Sequence, residues 1–157
     1  MTRIRSLATL TAALFATAPL AAQTSSAPSA ATAVAAPLSV AEEAALLALG
    51  KTYTRWFLTG KADSLVGAFA PDMAEKVGGV EGVQQMMNQI AERAGVETKV
   101  TEEKMTRRNG RPQFWHAGQF SELIDDELVI RWVFDKDGKI AGAGINPKSA
   151  APAPDAQ

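Results

Sequence analysis

The sequence predicts an α+β fold, three N-terminal helices packed on a curved antiparallel sheet of about four strands in a cone-like arrangement. Two observations carry this expectation. Between Ser39 and Ala94 apolar residues recur at steps of three and four, the period of one helix face. From Val96 to Pro147 they alternate, and the turn signals Asn109-Gly110 and Asp137-Gly138 cut the alternation into pieces of strand length. Helices first and antiparallel strands afterwards is the order of a domain whose helices cover one face of its sheet.

The first helix opens at Ser39-Val40-Ala41-Glu42, a capping box in which the serine bonds the amide of the glutamate and the glutamate reaches back. Leu46, Leu49, Tyr53 and Trp56 form its apolar stripe, flanked by Leu47 and Phe57, and Gly60 ends it. Asp63 is expected to cap a short helix holding Leu65, Val66 and Phe69, stopped by Pro71. The third helix runs from about Gly79 to Ala94, with Val80, Val83, Met87, Ile90 and Ala94 on its buried face.

The strands are expected over Val96–Thr106, Gln113–Leu123, Glu127–Asp135 and Lys139–Asn146. Phe114, His116, Gly118 and Phe120 share one side of the second strand, and Leu128, Ile130, Trp132 and Phe134 one side of the third. The opposite side carries Trp115, Ala117, Val129 and Val133 around Arg131, and alternation adds Ala141, Ala143 and Ile145 from the last strand. That face is too apolar to stand in water, and the expected cover is a second copy of the chain, a homodimer joined through the sheet.

The ends of the chain carry different signals. Arg3 and Arg5, the apolar run Leu7–Leu20 and the small residues Ala21-Ala22 before Gln23 have the order of a secretory signal, so residues 1–22 are expected to be removed. The run is short for a bilayer-spanning helix, which needs about 20 apolar residues. Residues 23–37 read as a disordered linker, 38–148 as the domain and 149–157 as a disordered tail. The mature protein is then periplasmic or secreted, with no membrane attachment after cleavage. The chain has 16 Lys and Arg against 17 Asp and Glu, a net charge of -1, and losing Arg3 and Arg5 takes it to -3. That balance gives no global attraction to nucleic acid. With no cysteine and one histidine, neither a cofactor nor a metal is expected.

Three segments, Phe69-Ala70-Pro71-Asp72-Met73, Ala94-Gly95-Val96-Glu97-Thr98 and Trp132 through Gly142, together with the order of helices and strands, resemble the nuclear-transport-factor-2-like superfamily. The resemblance is nearest to small domains of that superfamily found ahead of exported bacterial serine hydrolases. It implies a curved sheet wrapped around helices with a pocket inside, and an exported hydrolase as one candidate partner. The superfamily includes isomerases, dehydratases and binding modules, so the fold alone does not fix a function. No serine has a lysine three residues on and Gly-x-Ser-x-Gly is absent, so the hydrolase machinery itself is missing.

His116 is the only histidine and Tyr53 the only tyrosine. A histidine inside the pocket suits proton transfer at neutral pH, a tyrosine hydroxyl can donate to an oxyanion, and Asp72 after Pro71 can serve as a pocket carboxylate. Each has a plainer reading: a histidine edging the sheet, a core tyrosine, a capping aspartate. The expected function is therefore an exported, dimeric, non-catalytic binding or interaction domain, with no catalytic residue assigned. Its apolar pocket, touching Tyr53, Trp56, His116 and Trp132, would take a small apolar ligand, or its surface a partner protein. The alternative is a small pocket enzyme of isomerase or dehydratase type using His116, Tyr53 and Asp72. Arg131 is expected to pair across an interface, with Glu122 as a candidate partner, and Arg107, Arg108 and Arg111 to sit around an exposed turn.

Overall fold

A computed structural model describes residues 37–155. The proposed signal segment, nearly all of the proposed linker and the last two residues lie outside the described residues. Four helices precede four strands: α1 (Val40–Leu58), α2 (Ala62–Ala68), α3 (Pro71–Lys76), α4 (Gly79–Ala94), then β1 (Glu97–Arg108), β2 (Arg111–Phe120), β3 (Glu127–Phe134) and β4 (Ile140–Pro147). The strands form one antiparallel meander in the order β1-β2-β3-β4. The architecture is α+β, with the helices packed on one face of the sheet.

The capping box of α1 is formed: the Ser39 amide donates to the Glu42 carboxylate at 2.9 Å, and the Glu42 amide to Ser39 Oγ at 3.3 Å. The most buried line of α1 is Gly50, Tyr53, Thr54 and Phe57, about one residue round from the expected stripe, so Trp56 lies at its half-buried edge. Gly50 sets that rotation. A Cβ at position 50 would collide with the Phe114 ring, so α1 approaches β2 at the one residue without a side chain.

Pro71 does more than stop the short helix. It stands at the start of α3, an additional helix the sequence reading omitted, because proline's missing N–H is harmless in a first turn. Asp63 is not the cap of α2 either. The N-cap is Lys61, without a side-chain bond, and Asp63 sits in the first turn, where a negative charge faces the positive helix end.

The main core closes between the helices and the inner face of the sheet. Phe114, Ile130, Trp132, Phe134, Leu65 and Ile140 are all fully buried there. The Trp132 ring meets Phe57 edge-on at 6.0 Å, and its indole N–H donates to Thr54 Oγ1 at 2.8 Å. At the first hairpin Asn109 and Gly110 both have positive φ, 49° and 75°, the geometry a tight two-residue hairpin requires.

One face assignment is corrected. Val133 pairs with Gly142 but Phe134 pairs with Ile140, so Ala141 is an extra residue in β4. A bulge turns every later side chain to the opposite face. Ile145 therefore packs on the main core and Ala143 shares the side of Trp132, while Gly142 and Gly144 lie against Val133 and Arg131 on the outer face.

The outer face is not bare. Trp115, Ala117 and Val129 are buried there, and Ala151 packs against them. Residues 148–155, of which 149–157 were expected to be disordered, run across this face. Lys148 pairs with Glu127 at 2.6 Å, Ser149 Oγ donates to Asp126 at 2.5 Å, Gln113 Nε2 donates to the Pro154 carbonyl at 3.1 Å, and the Arg107 amide donates to the Asp155 carboxylate at 3.1 Å. The apolar patch that suggested a homodimer is thus smaller than alternation implies, and part of it is covered from within the chain.

Candidate functional site

His116 sits on the inner face of β2, 2 % exposed, with a carboxylate at each ring nitrogen. Nε2 is 2.6 Å from Glu97 Oε1 and Nδ1 is 3.2 Å from Glu103 Oε1. Lys51 of α1 closes the chain, its Nζ 2.6 Å from Glu103 Oε2. An ionised carboxylate offers only acceptors, so both contacts are satisfied together when both ring nitrogens carry protons. Burial alone pushes His116 towards the neutral form, but the hydrogen bonds and charges of Glu97 and then Glu103 outweigh it, and its pKa is raised above the usual 6.5. Burial likewise favours protonated Glu103, and Lys51 and His116 together overcome this and lower its pKa.

Local backbone irregularity builds the cluster. β1 carries extra residues between Glu97 and Lys99 and between Val100 and Glu102. Thr98 and Thr101 repair the ladder there by donating their hydroxyls to the carbonyls of Gln119 and Ala117, both at 3.1 Å. Two extra residues leave Glu97, Glu103 and Met105 in one alternation phase, the phase that faces inward. Gly118 provides the room, since a Cβ there would collide with the Glu97 carboxylate. Gly118→Ala is therefore expected to push Glu97 off Nε2 and bring the His116 pKa down from its wild-type value. An NMR titration of the imidazole checks this, and an unchanged titration would show that Glu97 has another place to sit.

His116, Glu97, Glu103, Lys51 and Arg55 line a cleft of about 480 Å³ between α1, the end of α4 and β1. The carboxylates approach opposite edges of the imidazole and do not converge on one point. Among the described residues no group of three His, Asp or Glu is placed to hold a metal ion. A larger cleft of about 700 Å³ lies between the start of α1, the β1–β2 hairpin and the β3–β4 turn. Its apolar lining includes Leu38, Leu46, Pro112 and Phe134, and Arg111 and Lys136 supply cations.

The other residues singled out from the sequence do not gather around His116. Tyr53 is buried between Trp56 and Phe134, with centroids at 5.5 and 6.3 Å, and burial raises its phenol pKa. Asp72 is exposed in the first turn of α3. Trp132 is in the deep core and Trp56 at its edge, and neither lines either cleft. Arg131 does not meet Glu122: it is 8 % exposed and donates to Asn146 Oδ1 at 3.0 Å. Arg107 is tied back to the Gly110 carbonyl at 2.9 Å. Sequence reasoning did not select Glu97, Glu103 and Lys51. The available signal was the shared phase of two glutamates with an inward methionine on β1. No protein-family model matches the chain, and no curated protein or solved structure matches it either, so the α+β architecture stands without a family.

Proposed function

We propose that the protein is an exported, non-catalytic binding domain, with the 700 Å³ cleft beside the start of α1 as the seat of a small apolar ligand. The observation that carries this reading is the state of His116. With Glu97 and Glu103 on its two nitrogens it has no free lone pair to accept a substrate proton, and Tyr53 and Asp72 lie elsewhere. The cluster reads as an ionic tie between α1, β1 and β2. The larger cleft has the make-up of a binding site, apolar surface with a few polar groups at its rim. A nuclear-transport-factor-2-like relationship is part of the same proposal, supported by the order of helices before a four-strand antiparallel sheet.

Native mass spectrometry of protein purified from its own cells tests the binding reading. The expected result is a retained small mass that is lost from Ala45→Arg, a change at an exposed position lining the cleft. Wild-type protein that retains nothing, and takes up nothing from a lipid-soluble extract of those cells, would overturn the ligand site. An imidazole that NMR shows to be neutral at pH 7 would overturn the non-catalytic assignment and favour proton transfer.

A further inference from the structure

The segment from Lys148 to Asp155 shows what the outer face of the sheet accepts. At Ala151 the backbone has φ -73° and ψ 135°, the polyproline II region, and the residue packs on Trp115, Ala117 and Val129. Further along, Gln113 Nε2 donates to the Pro154 carbonyl at 3.1 Å, and the amide of Arg107 in β1 donates to the Asp155 carboxylate at 3.1 Å. An apolar slot for a small side chain, a donor for a carbonyl and a donor for a carboxylate together read an extended alanine- and proline-rich segment ending in an acid. Such segments are recognised because their extended form is already set before binding.

The chain's own tail fills this face incompletely. Among the described residues Trp115 Nε1, Gln113 Oε1 and Arg131 Nε are buried without a partner. Arg131 faces no carboxylate. Burial and the nearby Arg108 both press its pKa down, and its guanidinium lies where Gly144 leaves room. A buried polar group left unmatched is costly, and a charged one more so. The ties at the start of the tail are exposed, as is Asp155. An occupant that offers further acceptors would satisfy groups the tail leaves open.

We infer that the outer sheet face is a docking groove for an extended, alanine- and proline-rich segment of another protein carrying a carboxylate, and that the chain's own tail holds the groove until such a segment replaces it. This groove is separate from the proposed ligand cleft, and its test does not depend on that cleft.

The probes are a fluorescein-labelled peptide with the sequence of residues 148–157 and the same peptide carrying Ala153→Glu. Fluorescence polarisation compares the full chain with a full-chain Ser149→Ala, Asp155→Ala variant whose tail is loosened. The loosened chain is expected to bind about ten-fold tighter than wild type, because a competing tail lowers the fraction of open grooves. The Ala153→Glu peptide is expected to bind more tightly than its parent and to lose that advantage on Arg131→Gln. No binding to a loosened chain that keeps its wild-type circular dichroism would overturn the groove. A loosened chain that instead dimerises by taking a second copy's tail would overturn the foreign partner. Hydrogen exchange on the unaltered chain reads the same opening: amides of 151–155 are expected to exchange about 100-fold faster than those of β2 and β3, as a locally opening segment does. Equal protection of tail and sheet would overturn the replaceable tail.

Discussion

Trp132→Ala is expected to cost about 3–5 kcal/mol of folding stability, the range for emptying an aromatic core site. Trp132 has no exposed surface and stands edge-on to Phe57. Truncation also removes the donor that satisfies Thr54 Oγ1, itself buried on α1. The space cannot collapse easily, since β3 is pinned by its neighbours β2 and β4 and α1 is held against β2 at Gly50. Denaturant titration checks the figure. A loss below about 1 kcal/mol would mean the site relaxes as surface positions do, against the packing described.

His116→Ala is expected to cost about 2–3 kcal/mol near pH 6, less than the 3–5 typical of a broken buried pair because water reaches part of both glutamates. Their side chains are 19 % and 22 % exposed. The variant leaves Glu97 and Glu103 without the cation between them, and only Lys51 remains on Glu103. The pH dependence has a definite sign. The raised His116 pKa contributes stability that is full below its ordinary 6.5 and is lost as pH rises through the folded-state value. The depressed Glu103 pKa contributes stability that is full above its ordinary 4.5 and is lost as pH falls through the folded-state value. The wild-type advantage over His116→Ala should therefore be greatest between pH 4.5 and 6.5 and shrink on both sides. Unfolding free energies at pH 5.5 and pH 9 decide it. An advantage that grows towards pH 9 would mean that His116 is buried neutral and that the ionic tie is not formed.

What the sequence determined by itself is what short-range physics writes locally. The capping box at Ser39, the hairpin turn at Asn109-Gly110, the helix-then-strand order and the inward set Phe114, His116, Leu128, Ile130, Trp132 and Phe134 are each legible from period or turn chemistry and are each present. Only the tertiary structure decided the rest, because it depends on residues that local patterns do not connect. The bulge at Ala141 moves Ile145 from the outer face to the core, and alternation cannot show an inserted residue. The partners of His116 come from α1 and from two irregular turns of β1, brought together by strand pairing and by the space left at Gly118. The tail has the composition of a free segment, yet it finds an apolar slot and backbone donors that exist only once β1, β2 and β3 lie side by side. Composition measures what a segment can bury alone, whereas here the buried surface is supplied by the sheet beneath it.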